Sequence, residues 1–214
     1  MKIKICLLAI GICLVMTTRG LADLVAQPTA GPCPQVTTTD FQGQVCSDSS
    51  KEYRTGQWIE EEGGVFIGNA SVEKYTDGKP KILIRDGNLT TSNFQGKLRY
   101  QESKDSAGKL NWSGETLLGT EKLPDGVFEG NKTISKNQYG PNLTYIIRDG
   151  NLTTSNFQGK LRYQESRDSI GTLNWYAETL DGIWRVTPST TLHGNLTTTR
   201  NATGGYIVTD NRIE

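Results

Sequence analysis

Four glutamates are the residues of this chain best placed by type and spacing to do chemistry: Glu102, Glu115, Glu165 and Glu178. Paired carboxylates are the minimal kit for glycoside hydrolysis, one acting as acid and the other as base or nucleophile. They fall in two sets 63 residues apart, however, and a duplicated residue serves a repeat more readily than a single active centre. The only histidine, His193, would have to serve any Ser-His-Asp or Cys-His arrangement. It lies in a Thr/Asn-rich tail with no nucleophile motif beside it. No phosphate loop and no dinucleotide fingerprint is present. Asp86-Gly87-Asn88 and Asp149-Gly150-Asn151 begin like calcium loops but lack the acidic ligands that should follow. Cys33 and Cys46 lie far from His193 and make a poor metal site. The expectation is a protein with no catalytic residues, no metal and no cofactor; a glycosidase is the residual enzymatic alternative.

The elements that position these residues are set by a duplication. Residues 84–103 and 147–166 are identical, and 30 of the 36 positions in 84–119 and 147–182 agree. Fixed-period self-similarity signals a repeat architecture. A finer motif, Phe-x-Gly, recurs at Phe41, Phe66, Phe94, Phe128 and Phe157, and Trp184 is read as opening a sixth, degenerate unit. Phe94, Gly96, Leu98 and Tyr100 alternate with Gln95, Lys97, Arg99 and Gln101, the period of a half-buried strand. Leu110, Trp112 and Thr116 are expected on one side of the next strand, with Asn111, Ser113 and Glu115 on the other. Residues 104–108 read as the turn between them. Asp86-Gly87 and Asp149-Gly150 read as two-residue type I′ hairpin loops. No window has a helical period. On this reading Tyr100, Trp112, Tyr163 and Trp175 recur along one face. An open face would be a ladder for sugar rings or a peptide; a covered one would be the core, which is favoured.

Asp125-Gly126-Val127-Phe128-Glu129-Gly130 and Gly63-Gly64-Val65-Phe66-Ile67-Gly68 resemble the MORN-type repeat. The units here are longer, carry Phe where that family more often has Tyr, and lack its second Gly-x-Gly. The resemblance covers about residues 40–185. It implies an elongated antiparallel meander used for binding or assembly, and brings no catalytic residue with it. The fold expected is all-β: tandem antiparallel β-hairpin repeats in a meander, with a closed barrel or solenoid left open, and a disulfide-pinned N-terminal cap.

Residues 1–22 read as a signal peptide: Lys2 and Lys4, a 12-residue apolar run, then Gly20-Leu21-Ala22, with cleavage expected after Ala22. The run is too short to span a bilayer of about 30 Å, so no transmembrane segment is expected after cleavage. Its removal leaves 20 basic and 23 acidic residues, a net charge of −3. That balance gives no support to nucleic-acid binding. The product is expected to be secreted, extracellular or, in a bacterium, periplasmic or at the cell surface. There Cys33 and Cys46 would form one disulfide. The divisions expected are a cap at 23–62, the tandem repeats at 63–181 and a degenerate repeat or second cap at 182–214.

Two surface signals remain. Sequons start at Asn69, Asn88, Asn111, Asn131, Asn142, Asn151, Asn195 and Asn201. In a eukaryotic secretory pathway these would carry glycans; otherwise they are strand-entry chemistry copied with the repeat. Lys97, Arg99, Lys160 and Arg162 were duplicated with the buried residues and form a candidate binding surface. The function these features imply is a secreted, non-enzymatic β-repeat surface for an unknown protein or glycan partner. A carbohydrate-binding protein is the alternative.

Overall fold

The computed structural model describes residues 33–137 and 143–214. The expected signal peptide, its cleavage site and Asn142 lie outside these. The described chain is one open antiparallel sheet whose strand order is its sequence order. The strands are β1 (Gln35–Thr37), β2 (Phe41–Ser47), β3 (Lys51–Ile59), β4 (Val65–Lys74), β5 (Pro80–Thr90), β6 (Phe94–Lys104) and β7 (Leu110–Leu123). Then follow β8 (Gly126–Asn137), β9 (Leu143–Thr154), β10 (Phe157–Arg167), β11 (Leu173–Thr187), β12 (Thr190–Arg200) and β13 (Tyr206–Asp210). A 3-10 turn, Glu61–Gly63, joins β3 to β4. The expected all-β meander is what forms, and it does not close into a barrel.

Local chemistry sets the connections. At one end of the sheet, Asp105 Oδ1 accepts the backbone N–H groups of Ala107 and Lys109, both at 2.9 Å. Asp168 and Asn201 do the same in the equivalent turns. Gly108, Gly171 and Gly204 close these three turns at φ of 86°, 85° and 83°, where a side chain would be strained. At the other end a threonine precedes each strand-opening Phe. Thr91 Oγ1 accepts the N–H of Phe94 at 2.9 Å, and Thr38 and Thr154 hold Phe41 and Phe157 likewise.

Asp86-Gly87 and Asp149-Gly150 are not turns. Both lie in mid-strand, in β5 and β9. Their glycines are there because two backbones approach closely. A Cβ on Gly87 would sit 2.3 Å from the Ile67 carbonyl oxygen and 2.9 Å from a ring carbon of Phe66. The same crowding explains Phe-x-Gly. Each Phe lays its ring back over the glycine two residues on, within 3.0 Å of where a Cβ would stand at Gly43, Gly68, Gly96, Gly130 and Gly159. The odd-numbered strands supply facing glycines, giving the tracts Gly43–Gly56–Gly68–Gly87, Gly96–Gly119–Gly130–Gly150 and Gly159–Gly182–Gly194. Between tracts the register steps by two residues: Gly87 faces Leu98, and Gly150 faces Leu161.

One face, here the Phe face, carries the rings. Phe66, Phe94, Leu98 and Leu117 form its buried centre, with Trp58, Leu89 and Tyr100 packed against them. Trp184 does not open a sixth unit. It is the cross-strand partner of Phe157 at a 4.8 Å centroid separation, as Trp58 is of Phe41 at 4.7 Å. The strands pack only on their neighbours in sequence, so no second layer of described residues covers either face. The expected aromatic row is also split. Tyr100 and Tyr163 lie on the Phe face, whereas Trp112 faces Ser103 on the opposite face, and Trp175 faces Ser166 there too. A bulge at Ser103/Lys104 inserts Asn111 and sends Leu110 to the face opposite Trp112. Trp112 and Trp175 are about equally exposed, 38% and 37%, but their surroundings differ: Trp112 faces Asn137 on β8, whereas the β11/β12 ladder begins only at Tyr176.

Cys33 and Cys46 are joined, with Cα atoms 5.0 Å apart. The link ties the segment leading into β1 to the end of β2. Removing it should destabilise this edge by about 3 kcal/mol in the chain-entropy view. Hydrogen exchange of the Cys33→Ser/Cys46→Ser variant should show faster exchange in β1 and β2 and unchanged protection in β6–β11. Uniform loss across all strands would mean the sheet melts as one unit.

Candidate functional site

The register brings the four glutamates together in pairs. Tyr100 faces Glu115 and Glu102 faces Ser113 across β6 and β7. Tyr163 faces Glu178 and Glu165 faces Tyr176 across β10 and β11. Glu102/Glu115 and Glu165/Glu178 are therefore diagonal neighbours on the Phe face. Within each pair the environments diverge. Glu102 accepts the Tyr100 hydroxyl at 2.8 Å and pairs with Lys104 at 2.9 Å. Glu165 accepts the Tyr163 hydroxyl at 2.6 Å and a two-pronged contact from Arg167 at 2.9 and 3.0 Å. Burial pushes the Glu165 carboxyl up, but the hydrogen bonds from Arg167 and Tyr163 outweigh it and hold it below the usual range. Burial and the bond to a glutamate raise both tyrosine hydroxyls well above the ordinary phenol range, so they stay donors.

Glu115 and Glu178 are the other kind. Burial raises Glu115, with Lys132, Lys136 and Arg85 opposing it; burial alone raises Glu178. The sign of the linkage follows. Below the ordinary glutamate pKa both folded and unfolded chains are protonated and Glu178 costs nothing. As pH rises the unfolded chain ionises first, so stability falls from there up to the raised folded pKa and stays lower beyond it. Glu178→Gln should therefore raise the urea midpoint at about pH 7 and leave it unchanged at about pH 3. An equal gain at both would assign the effect to packing.

The copies are not equivalent around these pairs. Arg85 pairs with Glu60 and lies 4.2 Å from the Phe66 ring centroid and 5.7 Å from that of Trp58. Arg148, its duplicate, pairs with Glu121 at 3.3 Å, and Glu121 also takes Lys132 at 2.6 Å. Glu121 stands 63 residues after Trp58, and Lys132 faces Arg148 where Ala70 faces Arg85, so two replacements convert a stacked cation into a half-buried ion-pair cluster. In the first copy Glu60, Arg85, Leu98, Tyr100 and Glu115 line a shallow depression of about 410 Å³.

Lys97, Arg99, Lys160 and Arg162 lie exposed on the opposite face, here the Lys face. Arg99 pairs with Asp86 at 3.1 Å and Arg162 with Asp149 at 4.0 Å. Exposed pairs of this kind contribute little to stability and leave the side chains available. Asn69, Asn88, Asn131, Asn151 and Asn195 share this face, Asn111 sits in the bulge and Asn201 in a turn. The sequence reading missed one adjacency. Asn88 faces Lys97 and Asn151 faces Lys160. Cross-strand partners stand about 5 Å apart, so a glycan on either Asn would cover the lysine beside it. Only the register shows this.

His193 is exposed and its backbone bridges to Ile213 at 2.7 and 2.9 Å. Among the described residues no group of three or more His, Cys, Asp or Glu is arranged to hold a metal ion, and no helix is long and apolar enough to cross a membrane. No family model, curated protein or solved structure matches this chain.

Proposed function

We propose that this is an exported, non-enzymatic β-repeat protein that presents its sheet as a binding or structural surface. The observation that carries the reading is the single layer whose faces no second layer of described residues covers, on which one exposed basic pair recurs four strands on. Lys97/Arg99 and Lys160/Arg162 occupy equivalent positions on β6 and β10. Strand spacing puts them about 19 Å apart across the sheet. Two linked weak sites gain from effective concentration, so a bivalent partner suits the array. The glutamate pairs sit on a face that no second layer of described residues roofs, and Glu115 lines only a shallow depression, which is poor for excluding water from a reaction. The glycan and protein-partner readings of the Lys face compete, since a sugar on Asn88 or Asn151 masks the neighbouring lysine.

The test passes an extracellular fraction from the source organism over the immobilised protein. Lys97→Gln/Arg99→Gln or Lys160→Gln/Arg162→Gln alone should reduce retention of a bound protein about tenfold. All four together should reduce it a hundredfold or more. Retention indifferent to all four changes would remove the Lys face from the function.

A further inference from the structure

Every other acidic side chain along the strands of the Phe face in β3–β10 is matched to a cation or lies among cations, but the far end of the sheet breaks this rule. Glu52, Glu102, Glu121 and Glu165 are ion-paired, and Glu115 has Lys132, Lys136 and Arg85 near it. Glu178 has no ion pair or side-chain hydrogen bond among the described residues, and burial alone raises its carboxyl. One strand over, Arg200 carries a buried Nε with no hydrogen-bond partner among the described residues. Glu178 faces Tyr163 and Thr198; Arg200 faces Tyr176 and Tyr206. Two opposite charges thus stand diagonally across β11 and β12 and do not meet.

Tyrosines surround them. The Tyr163 and Tyr176 rings are 6.0 Å apart and stacked, and Tyr206 meets Tyr176 edge-on at 6.4 Å. Arg200 lies 5.5 Å over the Tyr206 ring, which is 60% exposed. The first copy supplies a comparison. Its grid keeps Tyr100 and Glu115 but has Ser113 where Tyr176 stands, Lys136 for Arg200 and Thr144 for Tyr206. The aromatic cluster therefore belongs to one copy of a duplicated frame and not to the other.

We propose that Tyr163, Tyr176, Glu178, Arg200 and Tyr206 form a binding site for a neutral carbohydrate. A sugar hydroxyl donates to a carboxylate and accepts from a guanidinium at once, so adjacent hydroxyls of one ring suit Glu178 and Arg200 together, with the Arg200 side chain turning outward to present its buried Nε. The apolar C–H face of a pyranose stacks on an exposed tyrosine. A charged peptide side chain fits worse: an anion meets Glu178, and a cation meets Arg200. The inference rests on the reading of the exposed sheet as a binding surface, and names the ligand class for its Phe face.

Cellohexaose, chitohexaose and mannohexaose titrated calorimetrically into the full chain should show binding of at least one. Tyr176→Ser and Tyr206→Thr install residues the first copy already carries, so the fold should tolerate them. Each should weaken that binding tenfold or more, as should Arg200→Gln, while Lys97→Gln/Arg99→Gln leaves it unchanged. No binding of any of the three up to about 10 mM, where an interaction is worth little, would overturn the proposal. So would affinity unmoved by Tyr176→Ser, or a charged hexapeptide bound there in place of all three sugars. If sugar binding fails while the four-residue Lys-face change still abolishes partner retention, only this inference falls; if both fail, the surface reading falls with it.

Discussion

Gly119→Ala is expected to destabilise the sheet by about 3 kcal/mol or more, an unusually large effect for one added methyl group. The new Cβ would stand 2.2 Å from the Gln95 carbonyl oxygen and 2.7 Å from the Gly96 Cα. Both are backbone atoms of a strand pinned on its other side by β5, so neither can swing away as a side-chain end could. Gly114, on the same strand, is the internal control. Nothing lies within 4 Å of a Cβ there, and the equivalent residue of the second copy is Ala177. Gly114→Ala should be neutral or slightly stabilising, by up to about 1 kcal/mol, because alanine restricts the unfolded chain. Urea unfolding of both variants decides the matter. Equal midpoints would mean that the glycine tracts do not mark close backbone approach.

Phe66→Ala is expected to cost about 3–5 kcal/mol. The ring is fully buried although the described residues form one layer. Trp58 at 5.2 Å, Leu89 across β5 and the Arg85 guanidinium at 4.2 Å enclose it from the side, and the Gly68/Gly87 backbones form its floor. Truncation removes the ring and uncovers that floor. Phe66→Leu should cost much less, since it keeps a branched apolar cover. Thermal or urea unfolding checks both. A loss below about 1 kcal/mol for the alanine variant would show that ladder hydrogen bonds, not rings, hold the single layer.

Alternation in Phe94–Gln101 was enough to place β6 and its faces, because a strand's own period is written in consecutive residues. The turn at 104–108 was legible for the same reason: Asp105 and Gly108 act within five residues. What failed was information held between strands. Asp86-Gly87 has the composition of a type I′ loop, yet the glycine answers to Ile67 and Phe66 on another strand. Trp184 follows an Asp-Gly pair as Phe128 does at Asp125-Gly126, but it faces Phe157 across the ladder. One inserted residue, Asn111, was enough to separate Trp112 from Tyr100. The glutamates were found by type and duplication. Their sorting into a paired and an unpaired member depended on Arg167, Lys104 and burial, which no local pattern carries. The unlike settings of Arg85 and Arg148 arise from Trp58 against Glu121 and Ala70 against Lys132, outside the identical stretch.

The two-residue register step at β5/β6 and again at β9/β10 has a geometric consequence. Two residues are about 7 Å along a strand, and four strands are about 19 Å across. The line of glycines, where the sheet is thinnest, therefore runs about 20° off the perpendicular to the strands. A crease inclined in this way is a stagger of the kind that makes closed barrels tilt; in an open sheet it makes successive units climb. The operation that carries one 63-residue copy onto the next is accordingly a screw, with a rise along the strands as well as a shift across them. Lys97 shares its row not with Lys160 but with Arg162, one step down the thread. A rigid partner that grips both copies must have its two contacts offset by the same rise.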